Sequence, residues 1–289
     1  MPQSSTKRTA LITGASGGIG LHLAHICAQH GHNVFLVARN RQRLGQVCGD
    51  IRSHFGVEAD YLAVDLSAFG SATAVESALE ERSITIDILV NNAGFATRGP
   101  FARTEESATM GMLQLNIMTL TQMTRLILPG MVERGYGRIM NVASIGAYMP
   151  GPLMAAYYAS KAYVLSFSEA MNNELSGTGV MVTALCPGPT DTEFPRRAGL
   201  LNTKAFRRGT MDAASVARSG YTAMMKGKRV VIPGIKNKLQ MFPTPLVPRR
   251  VLAFFARQYN EIGEEQTAPK SARQAAEQAE PSVPAHSGS

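Results

Sequence analysis

The feature that most constrains the fold is a strand, a glycine-rich loop and a helix in direct succession near the amino terminus. Residues 9–13 (TALIT) are β-branched and apolar, the loop GASGGIG follows at 14–20, and a helical pattern covers 21–30. Glycines let the backbone turn tightly and approach a phosphate, and the free N–H groups at a helix start attract negative charge. The arrangement predicts a dinucleotide-binding loop, and a plain strand-to-helix turn is the alternative.

Further apolar runs alternate with helical patterns as far as residue 235. The predicted strands are 33–38, 59–64, 86–90, 138–143, 180–185 and 229–232, and the predicted helices cover 41–54, 105–133 and 155–175. This order predicts an α/β fold with a single Rossmann-like, doubly wound parallel sheet and helices on both faces.

The stretch 138–161 offers a hydroxyl, a phenol and an amine that can converge. Ser144 ends an apolar strand, and Tyr157 and Lys161 lie four residues apart in the next helix. That spacing places the phenol and the ammonium on one helical face, and a nearby cation is expected to lower the tyrosine pKa from about 10. The Ser144 hydroxyl would reach the carboxyl edge of the sheet, where such folds bind ligands. Ordinary packing and surface roles are the alternative.

The end of the second predicted strand bears on the cofactor. Dinucleotide folds often place an acid there to bind ribose hydroxyls, whereas this chain has the basic sequence RNRQR at 39–43. An arginine can pair with a 2′-phosphate, so NADP(H) is predicted in preference to NAD(H). Arg39 is the predicted contact, with Ser16 or Arg43 in support.

Two other polar positions have alternative interpretations. Asp65 and Leu66 follow the third strand and are predicted to border an adenine pocket, although Asp65 could instead cap a helix together with Ser67. Asn116 lies among apolar neighbours and needs hydrogen-bond partners if it is buried. It is either a core residue bonded to backbone or an anchor for a water or for Lys161.

In combination, these motifs resemble the short-chain dehydrogenase/reductase family. They are TGASGGIG at 13–20, NNAG at 91–94, Asn116, Ser144, YYASK at 157–161 and PGPTDT at 187–192. The resemblance covers about residues 7–235. It departs from NADP-preferring relatives in having no basic residue inside the glycine loop.

The resemblance implies a role for each matching residue. Tyr157 would be the general acid or base, Lys161 would lower its pKa and bind the nicotinamide ribose, Ser144 would hold the substrate oxygen, and Asn116 would fix a water. The implied cofactor-binding residues are Gly14, Ser16, Gly17, Gly18, Ile19, Gly20, Arg39, Asp65, Leu66, Asn91, Asn92, Ala93, Gly94, Tyr157, Lys161, Pro187, Gly188, Thr190 and Thr192.

The implied function is an NADP(H)-dependent oxidoreductase that interconverts a carbonyl and a secondary alcohol. Apolar residues around the motif, including Met149 and Met154, join Ser144 and Tyr157 as predicted substrate contacts and favour a lipophilic ketone, either 3-oxoacyl or steroid-like. The alternative is a non-catalytic NADP(H)-binding regulator or membrane-associated scaffold on the same fold. Family resemblance also implies a homodimer or homotetramer.

The charge of the chain is uneven. The formal net charge is +8, and residues 196–257 hold fourteen Lys and Arg against the single acid Asp212. This bias favours weak contact with an anionic membrane surface or an acidic carrier, but no aromatic-interleaved basic motif predicts nucleic-acid binding. Three scattered cysteines suggest neither a disulfide framework nor a metal site.

The chain shows no apolar run of spanning length and no signal-peptide pattern, so a cytoplasmic protein is predicted, with peripheral membrane contact as a further option. We predict a flexible segment 1–6, the dinucleotide-binding and catalytic domain 7–235, a basic and apolar extension 236–263 near the substrate side, and a disordered tail 264–289.

Overall fold

The computed structural model describes residues 7–207 and 209–262. Its main sheet has seven parallel strands in the order β3-β2-β1-β4-β5-β6-β9, and a second sheet pairs β7 with β8. The strands are β1 Thr9–Thr13, β2 Asn33–Ala38, β3 Ala59–Ala63, β4 Ile88–Asn91, β5 Gly137–Val142, β6 Val180–Leu185, β7 Thr190–Asp191, β8 Met211–Asp212 and β9 Val230–Val231. The predicted doubly wound parallel sheet is confirmed.

Helices cover both faces of this sheet because its strands carry apolar side chains on both sides. The α-helices are α1 Gly18–Gln29, α2 Arg41–Phe55, α3 Ser71–Glu81, α4 Glu106–Leu113, α5 Leu120–Glu133, α6 Ala155–Glu174, α7 Phe194–Arg197, α8 Lys204–Arg207, α9 Ala213–Met225, α10 Ile235–Met241 and α11 Arg249–Asn260, and short 3₁₀ turns lie at Phe101–Arg103, Ile145–Tyr148 and Thr244–Leu246. One core packs α1, α2 and α9 against the sheet. The other packs α3 and α5 against the opposite face.

The strand order reverses between β1 and β4, and both strands continue into small-residue loops at their carboxyl ends. In open α/β sheets this switch point is where ligands bind. The sheet topology therefore brings the glycine loop after β1 and the 92–94 segment after β4 to one edge.

The structure differs from the predicted elements mainly at one helix. The single helix predicted for 105–133 is two α-helices, α4 and α5, joined by the π-helical segment Gln114–Thr119. Asn116 lies in this segment, and its amide donates to the Phe95 carbonyl and to Ser160 Oγ. These bonds lie within the π-helical segment, and π-bulges of this kind are frequent at functional sites.

The other differences are small. Predicted strands 59–64, 86–90 and 229–232 are shifted or shortened to the bounds of β3, β4 and β9, and the irregular 193–208 stretch contains the short helices α7 and α8. The expectations for 1–6 and 264–289 lie outside the described residues. Among the helices that the structure describes, none has the length and apolar content to cross a bilayer.

Candidate active site

A cleft of about 470 Å³ follows the carboxyl edge of the main sheet. Its lining includes most of the residues predicted from the sequence. These are Gly14, Ser16, Gly17, Gly18, Ile19, Arg39, Asp65, Leu66, Asn92, Ala93, Gly94, Ser144, Met154, Tyr157, Lys161, Pro187, Gly188, Thr190 and Thr192. Residues far apart in sequence therefore meet in one cavity.

The glycine loop has a backbone that suits a bound pyrophosphate. Gly14 and Gly18 have φ angles of +67° and +54°, which L side chains rarely adopt. A Cβ at Gly17 would meet no atom within 4 Å, so this side of the loop is open. Helix α1 begins at Gly18 with no side-chain cap and no acid in its first turn, which leaves its N–H groups free for an anion.

Gly20 has a different role from the other loop glycines. It is not among the described residues that line the cleft, and a Cβ there would overlap the Gly14 carbonyl oxygen. The structure thus assigns Gly20 to close packing of α1 beneath the loop, which corrects the predicted direct contact with the cofactor.

Arg39 and Asp65 lie together at one end of the cleft. The Arg39 Nη1 to Asp65 Oδ2 distance is 3.8 Å, and both side chains are exposed. Asp65 also accepts hydrogen bonds from the backbone N–H and the hydroxyl of Ser67. Partial burial would raise the pKa of Asp65, but the Ser67 bonds and the Arg39 charge lower it overall. Asp65 therefore both caps a turn and faces the cleft. Its two sequence interpretations, a cap shared with Ser67 and a border of the adenine pocket, are compatible.

Of the two asparagines in the NNAG motif, only one faces the cleft. Asn91 is buried, and its amide donates to Thr124 Oγ1 at 3.1 Å and to Asn141 Oδ1 at 2.9 Å. Asn92 lines the cleft and donates to the Thr13 carbonyl oxygen at 2.9 Å. The predicted cofactor contact of Asn91 is thus corrected: adjacent residues at a strand end point to opposite sides, and Asn91 faces the core.

The three reactive groups of the 138–161 stretch come together at the middle of the cleft. Ser144 and Tyr157 both line the cleft, and the Ser144 hydroxyl lies near enough to the phenol to lower its pKa. The Lys161 ammonium lies 5.8 Å from the centre of the Tyr157 ring and donates to the Val142 carbonyl oxygen at 2.8 Å. Strand β5 and the start of α6 fix all three residues on the rigid frame of the fold.

Burial controls the protonation of this group. Burial raises the pKa of Tyr157, and the Ser144 hydrogen bond lowers it by less. Burial also lowers the pKa of Lys161 to about 8. The sequence predicted that Lys161 would lower the pKa of Tyr157, but the net shift of Tyr157 is upward because loss of solvent outweighs its polar contacts. Tyr157 therefore keeps its proton near neutral pH.

Asn116 does not line the described cleft but supports its floor. Its Oδ1 accepts from the Phe95 N–H at 3.3 Å. A Cβ on Gly94 would lie 3.0 Å from Asn116 Oδ1 and 3.5 Å from Lys161 Nζ, so only glycine fits comfortably between them. Asn116 thus fixes the backbone beside Lys161, with both amide N–H groups and one lone pair of its oxygen bonded to protein.

The end of the cleft beyond Tyr157 is apolar and partly closed by the carboxyl-terminal extension. Met154, Phe194, Leu200 and Phe206 line it, with ring centres of Tyr157 and Phe194 5.7 Å apart. Met149 is not among the lining residues that the structure describes, so its predicted substrate contact is not supported.

Sequence analysis missed three residues at this end, Tyr158, Tyr259 and Asn260, all of which line the cleft. Tyr158 Oη donates to Asn260 Oδ1 at 3.0 Å, and Asn260 Nδ2 donates to the Pro152 carbonyl oxygen at 3.0 Å. The sequence placed the extension 236–263 near the substrate side and Tyr158 in the YYASK motif, but it assigned none of these three residues to the cleft.

Comparison with known proteins identifies the family. The sequence profile described as short chain dehydrogenase matches residues 8–199, about two thirds of the chain. The chain belongs to the short-chain dehydrogenase family. This short-chain dehydrogenase is thus an oxidoreductase, and the resemblance predicted from its motifs is confirmed.

Relatives of this short-chain dehydrogenase are similar in sequence and structure. The monensin polyketide synthase putative ketoacyl reductase of Streptomyces virginiae is 40% identical over 195 residues, 67% of this chain and 74% of the relative. The ketoacyl reductase HetN of a Nostoc strain is 32% identical over 217 residues, 72% of this chain and 75% of the relative. A short-chain dehydrogenase from Sphingobium yanoikuyae, solved in complex with NADPH, has a TM-score of 0.74 at 29% identity and covers 98% of this chain and 99% of its own.

Proposed function

We propose that this short-chain dehydrogenase reduces a lipophilic ketone, most specifically a 3-oxoacyl thioester, to a secondary alcohol with NADPH as hydride donor. One observation carries the proposal. A buried Tyr157 lies beside Ser144 and Lys161 in a cleft that joins a glycine loop to an apolar end.

The chain's own residues perform the proton chemistry. As the carbonyl carbon accepts a hydride, the carbonyl oxygen gains electron density and takes the proton from Tyr157 Oη. Ser144 Oγ, which lies beside the phenol, would hold that oxygen in place. The reduced dinucleotide supplies the hydride when bound. The raised pKa of Tyr157 suits it as a proton donor near neutral pH and disfavours the reverse reaction, which needs the phenolate.

Lys161 acts through charge and position. Its ammonium donates to the Val142 carbonyl oxygen, and this bond fixes it at the floor of the cleft beside Gly94. A cation there stabilises negative charge that develops on the Tyr157 oxygen as the proton leaves. Asn116 maintains the backbone that positions this amine.

The loops of the cleft fit a dinucleotide. The open side of the loop at Gly17 and the uncapped start of α1 leave room and N–H groups for the pyrophosphate, and Arg39 and Asp65 border the adenosine end. Arg39 is two thirds exposed and free to turn from Asp65 toward a 2′-phosphate, which supports NADPH over NADH. The NADPH complex of the Sphingobium relative supports the same preference.

The substrate class rests on the other end of the cleft. Met154, Phe194, Leu200 and Phe206 provide an apolar wall for an acyl chain, and Arg197 lines the same region with a positive charge. An acyl thioester that bears a phosphate group matches both features, because its acyl chain is apolar and its phosphate is negatively charged. Two of the relatives are named ketoacyl reductases, and this further supports a 3-oxoacyl substrate over a steroid ketone.

The proposal is tested by following NADPH oxidation with 3-oxoacyl thioesters of increasing chain length, steroid ketones and simple aldehydes. We expect the highest kcat/KM with a medium or long 3-oxoacyl thioester, because each added CH₂ buried in the apolar end contributes about 0.8 kcal/mol. Equal kcat/KM for acetaldehyde and for every thioester would contradict the substrate class.

The cofactor preference has a separate test. Arg39→Ala should lower kcat/KM for NADPH by about 10- to 100-fold, since a charged hydrogen bond contributes about 1.5–3 kcal/mol. The value for NADH should change little. Arg41→Ala removes the same charge from a residue outside the described lining of the cleft and is the matched control. A fall of equal size with both cofactors would contradict the assigned phosphate contact.

A further inference from the structure

The carboxyl-terminal extension exposes an unusual amount of apolar surface. Seven large apolar side chains of α10, α11 and the turn between them are exposed, and we call them the C-terminal face: Ile235, Leu239, Phe242, Leu246, Val251, Phe254 and Phe255. Phe242 and Leu246 are 83% and 87% exposed, so they project into solvent rather than pack on the domain. Exposed apolar patches of this kind mark interaction sites.

The backbone under this face is held firmly to the rest of the protein. Met241 and Thr244 are buried, and so is Ala256 on the inner side of α11. Asn260 at the end of α11 bonds to Tyr158 and to the Pro152 carbonyl, and the Arg98 Nε donates to the Asn260 carbonyl oxygen at 3.0 Å. The apolar side chains are therefore presented outward by an anchored segment.

The positive charge of the carboxyl-terminal extension indicates what kind of partner the C-terminal face binds. The extension 236–263 contains five Lys and Arg and the single acid Glu261, which is paired with Arg257 at 3.3 Å. Lys236, Lys238, Arg249 and Arg250 are all exposed and lie next in sequence to the apolar residues of the C-terminal face. A surface with this composition attracts an anionic partner.

Three kinds of partner could cover an exposed apolar face. If a second copy of this chain covered the face, four basic side chains from each protomer would lie close together. Residues 213–260 contain no acid that could neutralise this positive charge. The exposed apolar residues of the C-terminal face extend over two helices and a turn. A groove on another protein, which suits a single compact ridge, would fit this broad surface poorly. An anionic bilayer accepts both features, because projecting aromatic and aliphatic groups enter the acyl boundary while basic groups pair with lipid phosphates.

We propose that the C-terminal face docks this enzyme peripherally onto anionic lipid bilayers. Phe242, Leu246, Phe254 and Phe255 enter the headgroup boundary, and Lys236, Lys238, Arg249 and Arg250 pair with the headgroups. Helix α11 carries the face on one side and places Tyr259 and Asn260 in the cleft at its end. The docked enzyme thus holds the apolar end of its cleft close to the membrane, independently of which ketone it reduces.

The test is co-sedimentation of the full chain with vesicles. Phosphatidylglycerol vesicles should bind the enzyme, pure phosphatidylcholine vesicles should bind it weakly, and concentrated salt should reduce the binding because exposed charges are screened. Phe254→Ser/Phe255→Ser should weaken binding about 100-fold, as each buried phenylalanine contributes at least about 1.5 kcal/mol. Phe69→Ser, at a phenylalanine that is 92% exposed and outside the face, should bind like wild type.

The charge contribution has its own pair of variants. Arg249→Ala/Arg250→Ala should weaken binding about 30-fold, at about 1 kcal/mol for each basic side chain. Lys226→Ala/Lys228→Ala removes the same charge at the amino-terminal end of β9, the opposite edge of the sheet from the cleft, and should have little effect. Thermal unfolding and NADPH turnover of each variant verify that the fold is intact.

Several results would overturn the proposal. One is failure of wild type to bind phosphatidylglycerol vesicles at low salt, and another is equal binding by the Phe254→Ser/Phe255→Ser variant. If the enzyme does not bind vesicles but Phe254→Ser/Phe255→Ser converts a dimer to a monomer, a second copy covers the C-terminal face. If it ignores vesicles but binds an acidic acyl carrier protein through the face, the partner is a protein.

Discussion

Asn260→Ala should loosen the carboxyl-terminal helix and impair the substrate end of the cleft. The substitution removes the hydrogen bonds of the Asn260 amide to Tyr158 Oη and to the Pro152 carbonyl, both 3.0 Å long. It leaves a largely buried phenol and a carbonyl without their partner. Each such group costs about 1–3 kcal/mol, so we expect a loss of about 2–6 kcal/mol in the free energy of unfolding.

Two measurements separate this effect from general damage. For a domain of this size 1 kcal/mol corresponds to about 2–4 °C, so Tm should fall by roughly 4–24 °C. The KM for the ketone should rise, whereas the Kd for NADPH should stay unchanged because Arg39 and the glycine loop lie at the other end of the cleft. Circular dichroism melts and NADPH fluorescence titration provide the two readouts.

Tyr158→Phe provides an internal check, since it removes one of the same two bonds. The effects of Asn260→Ala and Tyr158→Phe should not add in the double variant, because both delete the Tyr158–Asn260 bond. Tyr163→Phe, whose hydroxyl meets Thr121 at an exposed position, should change Tm by little. An Asn260→Ala protein with wild-type Tm and wild-type KM for the ketone would refute the reasoning.

Three further predictions concern the catalytic group, the loop and assembly. The kcat/KM for carbonyl reduction should fall as pH rises through about 8, where buried Lys161 loses its charge, and a flat profile there would contradict this assignment. Gly20→Ala should lower the free energy of unfolding by about 1–3 kcal/mol and weaken NADPH binding, because the new Cβ overlaps the Gly14 carbonyl. As a control, Gly49→Ala in α2 should raise Tm slightly, because a Cβ there meets nothing within 4 Å. Because the family resemblance implies an oligomer that pairs through the helix of the catalytic tyrosine, Tyr163→Glu on the exposed side of α6 should lower the mass measured by light scattering, and an unchanged mass would contradict an interface there.

The sequence predicted the sheet well because its strands are short β-branched runs bounded by glycine or polar residues. Strand β1 and strand β2 have the predicted bounds. The π-helical segment was not predictable from periodicity, since it depends on bonds between Asn116 and the distant residues Phe95 and Ser160. Local pattern carries no information about such long-range partners.

The candidate site was predictable where a motif fixes the backbone. It was less predictable where the orientation of a side chain decides whether that side chain faces the cleft. The pattern NNAG could not tell which asparagine faces the cleft, because strand register places Asn91 in the core and Asn92 at the cavity. The upward pKa shift of Tyr157 was not predictable, because spacing reveals a nearby charge but not the degree of burial. Asn260 lies about one hundred residues from Tyr158, beyond the reach of any motif.

The most direct test of the proposed chemistry is turnover of a Tyr157→Phe variant. Phenylalanine keeps the ring that packs against Phe194 and removes only the hydroxyl beside Ser144. We predict wild-type affinity for NADPH and a fall of about 10²- to 10⁴-fold in kcat for a 3-oxoacyl thioester, the usual contribution of general acid catalysis. Turnover within a few-fold of wild type, with NADPH still bound, would contradict the role of Tyr157 as proton donor.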